Sequence, residues 1–545
     1  MLSVLDLLDN AAMLSDTQVC FVPGDPAVSS AGELCRAAHV AAGWWRARTA
    51  PGESVGCVLT TSFDAIAVAY GAWLAGLRLV SLPYPGQGAA PGDYLSSLKL
   101  MCKIADVKLV MIDPVYVDLV PTTQGLSFER FNAYHGARAL AAASTSTGSF
   151  VQFTSGTTSN PKGICLSLEA LGAAVSSCIE ALEPTEREVC VSWLPLSHDM
   201  GFIGICLAAL AATAPPWNTR GSLVMIRPEE FLRNPMVWLR QCSDRAATFT
   251  AAPAFGLDIA ARIMRASPPG SLDLSRMRAV ITGAELISAA TLRGFASAGS
   301  RHGLSELALC PAYGLAEASL GVTSVRPSAM WDTIRLDASS TSVSNPVASG
   351  ESGVRIPSEV VSCGVPFQGT QVRIAGSRAV GEIEVSTPAL MSNYLGDLPV
   401  PFSADGWLTT GDLGTLSNGN LYVIGRADDM LVVRGRNLCP EEIELAVASH
   451  GAVRSGSCVA VHDGDGGYAV LAEPHVSTLE APCQGDLAEA CRELRLMLVE
   501  RYGIGPSRVV FVTPNTTPRT SSGKPRRNEL ARRLSDNDLS IEATG

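Results

Sequence analysis

The sequence predicts an α/β protein of several units: two α/β layers before about residue 330, a small β-rich unit after about Val361, and a compact α+β unit at the C-terminal end. Three observations carry this expectation. At 545 residues the chain is too long for one simple core, taking roughly 150 residues per domain. Before residue 330, continuous apolar runs alternate with stretches of helical spacing. After Val361 the texture changes to strands of alternating polarity joined by tight turns.

The elements follow in order. From Val55 to Pro83 the chain reads strand, helix, strand: "VGCVLT" is continuously apolar, "FDAIAVAYGAWLAG" has helical spacing closed by Gly76, and "LRLVSLP" is apolar again. Apolar runs flanking a helix suit a parallel sheet covered on both faces. The same alternation returns in "YLSSLKLMCKIA" with "VKLVMI", and in "NPMVWLRQCSD" with "ATFTAAP". Further on, "QVRIAGSRAVGEIEVST" and "LGTLSNGNLYVIG" read as hairpins, the second turning at Asn418-Gly419. Beyond Gly425 come strands "SCVAV" and "YAVLAEP". A helix carrying Leu487, Cys491, Leu494 and Leu498 follows, with Asp486 suited to its N-cap and Gly503 to its stop. The last ten residues, "DNDLSIEATG", are expected to fray.

Composition bounds the function. The net charge of −11 argues against nucleic acid as a main partner, because phosphate backbones select basic surfaces. Fifteen cysteines are scattered without a C-x-x-C pair, which fits reduced thiols in a cytoplasmic protein. The start, "MLSVLDLLDNAAMLSD", lacks leading Lys/Arg and makes a poor signal peptide. The apolar stretch "MGFIGICLAALAATAPP" falls short of the ~20 residues of a membrane span and ends in prolines, so no stable membrane insertion is expected.

Five segments carry chemistry. "FVQFTSGTTSNPKG" (Phe150–Gly163) sets the hydroxyls of Thr154, Ser155, Thr157, Thr158 and Ser159 beside Gly156, Gly163 and Lys162. Hydroxyls, free backbone N–H groups and one ammonium form a cradle for phosphate oxygens. The Walker A spacing is absent, and read alone this is equally a solvent-facing loop. "AYGLAEASLG" places Tyr313 where a ring could stack on a base, followed by Gly314 and by Glu317, a hard oxygen ligand for Mg²⁺. In "GWLTTGDLG", Asp412 suits a ribose diol, or simply a turn before a strand. "GRADDMLVVRGRNLCPEEIE" sits where the β-rich texture ends, and "TPRTSSGKPRRNEL" holds Lys524 on a Ser/Gly loop.

In this order and spacing, the five segments closely resemble the signature of the adenylate-forming superfamily: acyl-CoA synthetases, luciferases and the adenylation domains of peptide synthetases. The resemblance runs from about Val55 to Leu530. Within the superfamily, "WLPLSHDMGFIG", "FLRNPMVWLRQCSDRAATFTAAPAFG" and "ITGAELISAATLRGF" look like the fatty acyl-AMP ligases. Nearly fifty residues separate Glu317 from Gly364, and the stretch about 324–360 resembles the insertion that restrains the lid in that branch. A family-neutral loop expansion is the plainer reading of it. The segment between Tyr394 and Trp407 is shorter than is usual there.

The resemblance implies an adenylating domain over 1–427, with its β-rich subdomain at about 361–427, and a mobile lid domain over 428–545 hinged at Asp428. It implies ATP and Mg²⁺ as cofactors, the metal on Glu317 and Thr158, and the phosphates on Thr154, Ser155, Gly156, Thr157, Thr158 and Lys162. Gly283, Ala284, Glu285, Tyr313 and Gly314 then form the adenine pocket, and Asp412 and Arg426 the ribose site. His198, Glu317 and Lys524 are the catalytic candidates, with His198 near the attacking carboxylate and Lys524 over the reacting groups. The expected product is an acyl adenylate, passed to the phosphopantetheine thiol of a separate acyl-carrier protein or a polyketide or peptide synthase. Small residues Ala251, Ala252 and Gly256 would permit an acyl tunnel, and "GFIGICLAALAA" either lines it or is a core helix. The alternatives are an acyl-CoA synthetase, an amino-acid-activating enzyme using Asp199, and a non-catalytic nucleotide-binding homologue.

Overall fold

The computed structural model describes residues 2–14, 17–23, 29–85, 91–120, 125–140, 148–154, 161–335, 354–355, 359–376, 379–396, 398–433, 436–464, 466–475, 484–519 and 525–544. Two large sheets dominate the N-terminal region. In the nine-stranded sheet six neighbours run parallel: Gln18–Val22, Arg220–Ile226, Arg187–Ser192, Phe249–Ala251, Ala279–Thr282 and Leu309–Gly314. In the seven-stranded sheet Ser149–Thr154, Arg78–Leu82, Ser54–Val58, Leu109–Ile112 and Ser127–Arg130 are parallel. Lys162–Ser167 and Asn393–Tyr394 extend it antiparallel.

The predicted strand–helix–strand over 55–83 forms as expected. Helix Phe63–Leu74 starts at Ser62, whose side chain accepts the Ala65 N–H, and stops before Gly76 at φ +74°. Ten of its twelve residues are buried, so it has no polar stripe and belongs to the core. At Gly71 a Cβ would lie 2.7 Å from the Ala41 Cβ, and the glycine lets helix Ala31–Arg46 pack at backbone distance.

The β-rich unit is a four-stranded sheet of Gln371–Ile374, Gly381–Ser386, Leu408–Ser417 and Asn420–Arg426. Its last hairpin turns at Asn418 and Gly419, φ +50° and +80°, the two left-handed residues of a type I′ turn. Between the large sheets and this unit, Thr333–Ile334 pairs with Val360–Val361. Val354–Arg355 pairs in parallel with Arg436–Leu438, beyond the β-rich unit.

The C-terminal unit is a four-stranded sheet of Val453–Asp463, Gly467–Pro474, Arg508–Val512 and Ile541–Thr544, covered by helices Pro440–Ala448, Gln484–Tyr502 and Arg527–Ser535. Two expectations change here. The long helix begins at Gln484, which puts Asp486 inside its first turn instead of at the cap. The final residues do not fray: Ile541–Thr544 is an edge strand on Arg508–Val512, with the Thr513 hydroxyl donating to Glu542 at 2.7 Å. The sheet edge supplies backbone partners that the polar composition of the tail does not announce. Every cysteine among the described residues is a free thiol, and no described helix is long and apolar enough to cross a membrane.

Candidate active site

Among the described predicted residues, Thr154, Gly283, Ala284, Tyr313, Gly314 and Glu317 lie at or just past the C-terminal ends of parallel strands, where open α/β sheets bind ligands, while Asp412 and Arg426 come from the antiparallel β-rich sheet. Strand Ser149–Thr154 pairs antiparallel with Lys162–Ser167, and Thr154 stands opposite Lys162 at the mouth of this hairpin. Ser155, Gly156, Thr157 and Thr158 lie between them, outside the described residues, as does Lys524. The edge of the Lys162 strand is covered by Asn393–Tyr394, and the Lys162 ammonium sits 5.5 Å from the Tyr394 ring centroid.

Tyr394 leads to Glu317. Its hydroxyl donates to Glu317 Oε1 at 2.9 Å, while the Glu317 carbonyl accepts the Met391 N–H at 2.8 Å. Glu317 occupies the turn Ala316–Ala318 just after strand Leu309–Gly314. At Gly314 a Cβ would come within 1.9 Å of the Leu320 carbonyl, so no side chain fits where the chain doubles back. The carboxylate suits Mg²⁺: it is a hard oxygen ligand already oriented by a hydroxyl, and Mg²⁺ on a triphosphate needs only one or two protein carboxylates.

Tyr313, on the same strand, is buried, and its hydroxyl donates to Asp412 Oδ2 at 2.6 Å. Burial, and then the Asp412 carboxylate, push the phenol far up, so it remains a donor. Asp412 faces Arg426 across the hairpin, with Nη1 3.6 Å from Oδ1. The Asp412 N–H bonds Thr410 Oγ1 at 3.1 Å, and the Gly411 N–H bonds Glu382 Oε1 at 2.8 Å. Burial works against the Arg426 cation, but Asp412, Asp429, Asp428 and Glu317 together hold its pKa above the usual value. Lys162, Tyr394, Glu317, Arg426, Asp412 and Tyr313 therefore form one run of neighbours.

Gly283, Ala284 and Glu285 follow strand Ala279–Thr282, next to the Tyr313 strand. A Cβ on Gly283 would lie 2.9 Å from the Ala312 carbonyl, which explains the glycine. Ala284 is exposed at φ +70°, and Glu285 accepts the Phe255 N–H at 3.1 Å. His198 is half-buried in the turn after strand Arg187–Ser192. The carbonyl of the adjacent Ser197 accepts Gln152 Nε2 at 2.9 Å and the Ser81 hydroxyl at 3.4 Å, both from the other sheet. The turn is thus pinned between the two large sheets. Asp199 caps Met200, its Oδ1 accepting that N–H at 2.8 Å.

Gly256 has a packing reason of its own: a Cβ there would lie 2.9 Å from the Trp193 indole, which stacks on Phe231 at 3.7 Å. Ala251 and Ala252 are buried, and the Ala252 methyl lies 3.3 Å from where a Gly256 Cβ would stand. The apolar run is a core helix. Met200–Leu207 winds as a π-helix and continues as helix Ala208–Ala211. Phe202, Ile203 and Leu207 face the core, while Gly204, Ala208, Ala209 and Ala212 border a half-open pocket that Glu188, Thr248 and Arg278 also line. Tyr394 and Glu382 were not singled out in the sequence; only their contacts with Glu317 and Gly411 mark them.

Asp428 is exposed in the turn joining Asn420–Arg426 to Leu431–Val433. The Lys524 loop is tied at its neck by an Arg519–Pro525 bridge and by the Arg526 N–H on the Pro518 carbonyl at 3.0 Å. Just beyond, Arg527 Nη2 bonds Glu441 at 2.9 Å and Glu444 at 3.1 Å, and Nη1 bonds the Ala460 carbonyl at 3.2 Å.

Known proteins resemble this chain in sequence and in fold. A family model described as AMP-binding enzyme matches residues 23–395, more than half of the chain. The long-chain-fatty-acid–AMP ligase FadD26 of Mycobacterium bovis is 31% identical over 420 residues, covering 70% of this chain and 69% of that protein. A chain solved in structural and functional studies of fatty acyl-adenylate ligases from E. coli and L. pneumophila superposes with a TM-score of 0.86. It is 26% identical and covers 99% of this chain and 98% of that one. The fold is also that of a fatty acid AMP ligase from Legionella pneumophila, at a TM-score of 0.70 and 24% identity, covering 100% and 97% of the two chains. The chain belongs to the AMP-binding enzyme family of adenylate-forming ligases acting on carboxylic acids, and within it to the fatty acyl-AMP ligase branch.

Proposed function

We propose that this chain activates a fatty acid with ATP to an acyl adenylate, releasing pyrophosphate, and passes the acyl group to the phosphopantetheine thiol of a separate carrier protein. The observation that carries this reading is the pairing of Val354–Arg355 with Arg436–Leu438. It adds a strand from the long insertion to the first strands beyond the Asp428 turn, which supports a restrained lid and a carrier protein in preference to CoA. Glu359 of the same insertion is held by Arg293 and by the Thr333 hydroxyl at 3.0 Å. Asp199 spends its carboxylate on a helix cap, which leaves the amino-acid-activating reading without its acidic partner.

The reaction sets one anion against another. A carboxylate oxygen attacks the α-phosphorus, the α–β phosphoanhydride bond breaks, and pyrophosphate leaves. Lys162 and the hairpin mouth at Thr154 hold the distal phosphates; Glu317 and Thr158 would hold Mg²⁺, which supplies neutralising charge there. Asp412 retains acceptor capacity for a ribose hydroxyl beside its Tyr313 bond, and Arg426 donates close by. Tyr313, Gly314 and the Gly283–Ala284–Glu285 segment wall the adenine. Lys524, swung in about Asp428, stabilises the charge shared by the acid and the α-phosphate. His198 lies at the start of the helical run Met200–Ala211, and we place the acyl chain along that run. The test is product analysis with fatty acids, ATP and either CoA or a phosphopantetheinylated carrier protein. Acyl-carrier formation well above acyl-CoA is expected; equal or greater CoA thioester would replace this reading with an acyl-CoA synthetase.

A further inference from the structure

Far from the nucleotide residues in the sequence, three potential metal ligands of different chemistry converge on the N-terminal helices. Asp9 lies on helix Val4–Leu14, while Cys35 and His39 lie four residues apart on helix Ala31–Arg46. That spacing sets a thiol and an imidazole on one helical face, one turn apart. One ligand atom from each of the three residues lies within 4.8 Å of the others, and Cys35 Sγ is 4.0 Å from Asp9 Oδ1. Around tetrahedral zinc, with bonds of about 2.3 Å to sulfur and 2.0 Å to nitrogen or oxygen, neighbouring ligand atoms stand roughly 3.5 Å apart. Side-chain adjustments of about an ångström close the difference.

The surroundings supply what metal ligands need. The Tyr70 hydroxyl donates to the Asp9 carboxylate and orients it. His39 Nδ1 is 3.2 Å from the Leu140 carbonyl; an N–H donated there fixes the tautomer and leaves the other ring nitrogen as a lone-pair donor. All three ligands are half-buried, on elements that hold none of the nucleotide site.

We propose that Asp9, Cys35 and His39 bind a zinc ion, with solvent in the fourth position, which clamps the N-terminal helix onto helix Ala31–Arg46. Thiol with imidazole selects zinc over Mg²⁺ or Ca²⁺, which prefer all-oxygen sets. Capture forms a zinc–thiolate bond and releases the Cys35 thiol proton to solvent.

The test uses the full chain, stripped with chelator and titrated with Co²⁺ as the spectroscopic probe. One equivalent should give a thiolate-to-cobalt absorption band that Zn²⁺ abolishes by displacement, and Zn²⁺ should raise the melting temperature. Cys35→Ser should lose the band, and His39→Ala should weaken Co²⁺ binding at least tenfold. Both should keep ATP–pyrophosphate exchange, which shows that they fold. A wild-type chain without the band, or a band that survives Cys35→Ser, overturns the site.

Discussion

Asp412 must serve two neighbours while keeping room for a third. Its Oδ2 takes the Tyr313 hydroxyl at 2.6 Å and its Oδ1 faces Arg426. Tyr313→Phe keeps the ring but removes the donor that orients the carboxylate, a hydrogen bond to a charged group worth about 1.5–3 kcal/mol. The expected result is a rise of roughly tenfold or more in KM for ATP with a smaller change in kcat, read by pyrophosphate release. Lys524→Ala removes a cation proposed to act in the transition state. It should lower kcat for adenylation by ~10²–10³ while ATP affinity, measured by calorimetry, stays near wild type. At this scale the sequence was informative where chemistry and turn residues coincide, as in Tyr313, Glu317 and Asp412. It was silent on Tyr394, because a single tyrosine beside a loop carries no pattern. Only the antiparallel pairing with Lys162–Ser167 brings its hydroxyl to Glu317.

Among the elements, the apolar runs over 55–83 were legible because a strand buried on both faces has little choice of composition. The Asn418-Gly419 hairpin was legible because few residues tolerate two left-handed positions in succession. Ile541–Thr544 was not, since an edge strand bonds through its backbone and needs no apolar signature. The short strand Val354–Arg355 escaped for the same reason, although it carries the argument about the acceptor. Proline at both Val354 and Arg355 removes their N–H donors and disfavours the pairing with Arg436–Leu438. Acyl-AMP formation should persist while acyl-CoA formation rises at least several-fold, followed by thioester mass. Unchanged CoA use would remove the insertion from the account of acceptor choice.

Across the whole molecule, the two large sheets and the β-rich hairpin hold the residues proposed for the nucleotide, and the proposed reaction requires the C-terminal unit to bring Lys524 to them. That unit is braced by Arg527 against Glu441 and Glu444, just past the Lys524 loop. Burial pushes Glu444 from 4.5 up to about 7, with the Arg527 charge opposing. A carboxyl whose folded pKa is raised contributes stability present below the unfolded value and lost as pH rises through the folded one. Between about pH 4.5 and 7 the Glu444 contribution therefore falls as pH rises. Glu444→Gln cannot titrate. Its melting temperature should decline less than that of wild type over this window, in scans at matched ionic strength.

The central claim is that these residues join an acid to AMP. Mass spectrometry of the products from the purified chain, ATP, Mg²⁺ and a series of fatty acids tests it most directly. The prediction is an acyl-adenylate mass for at least one acid, with an equal amount of pyrophosphate. ADP and orthophosphate as the only nucleotide products, or no mixed anhydride from any acid in the series, would contradict it.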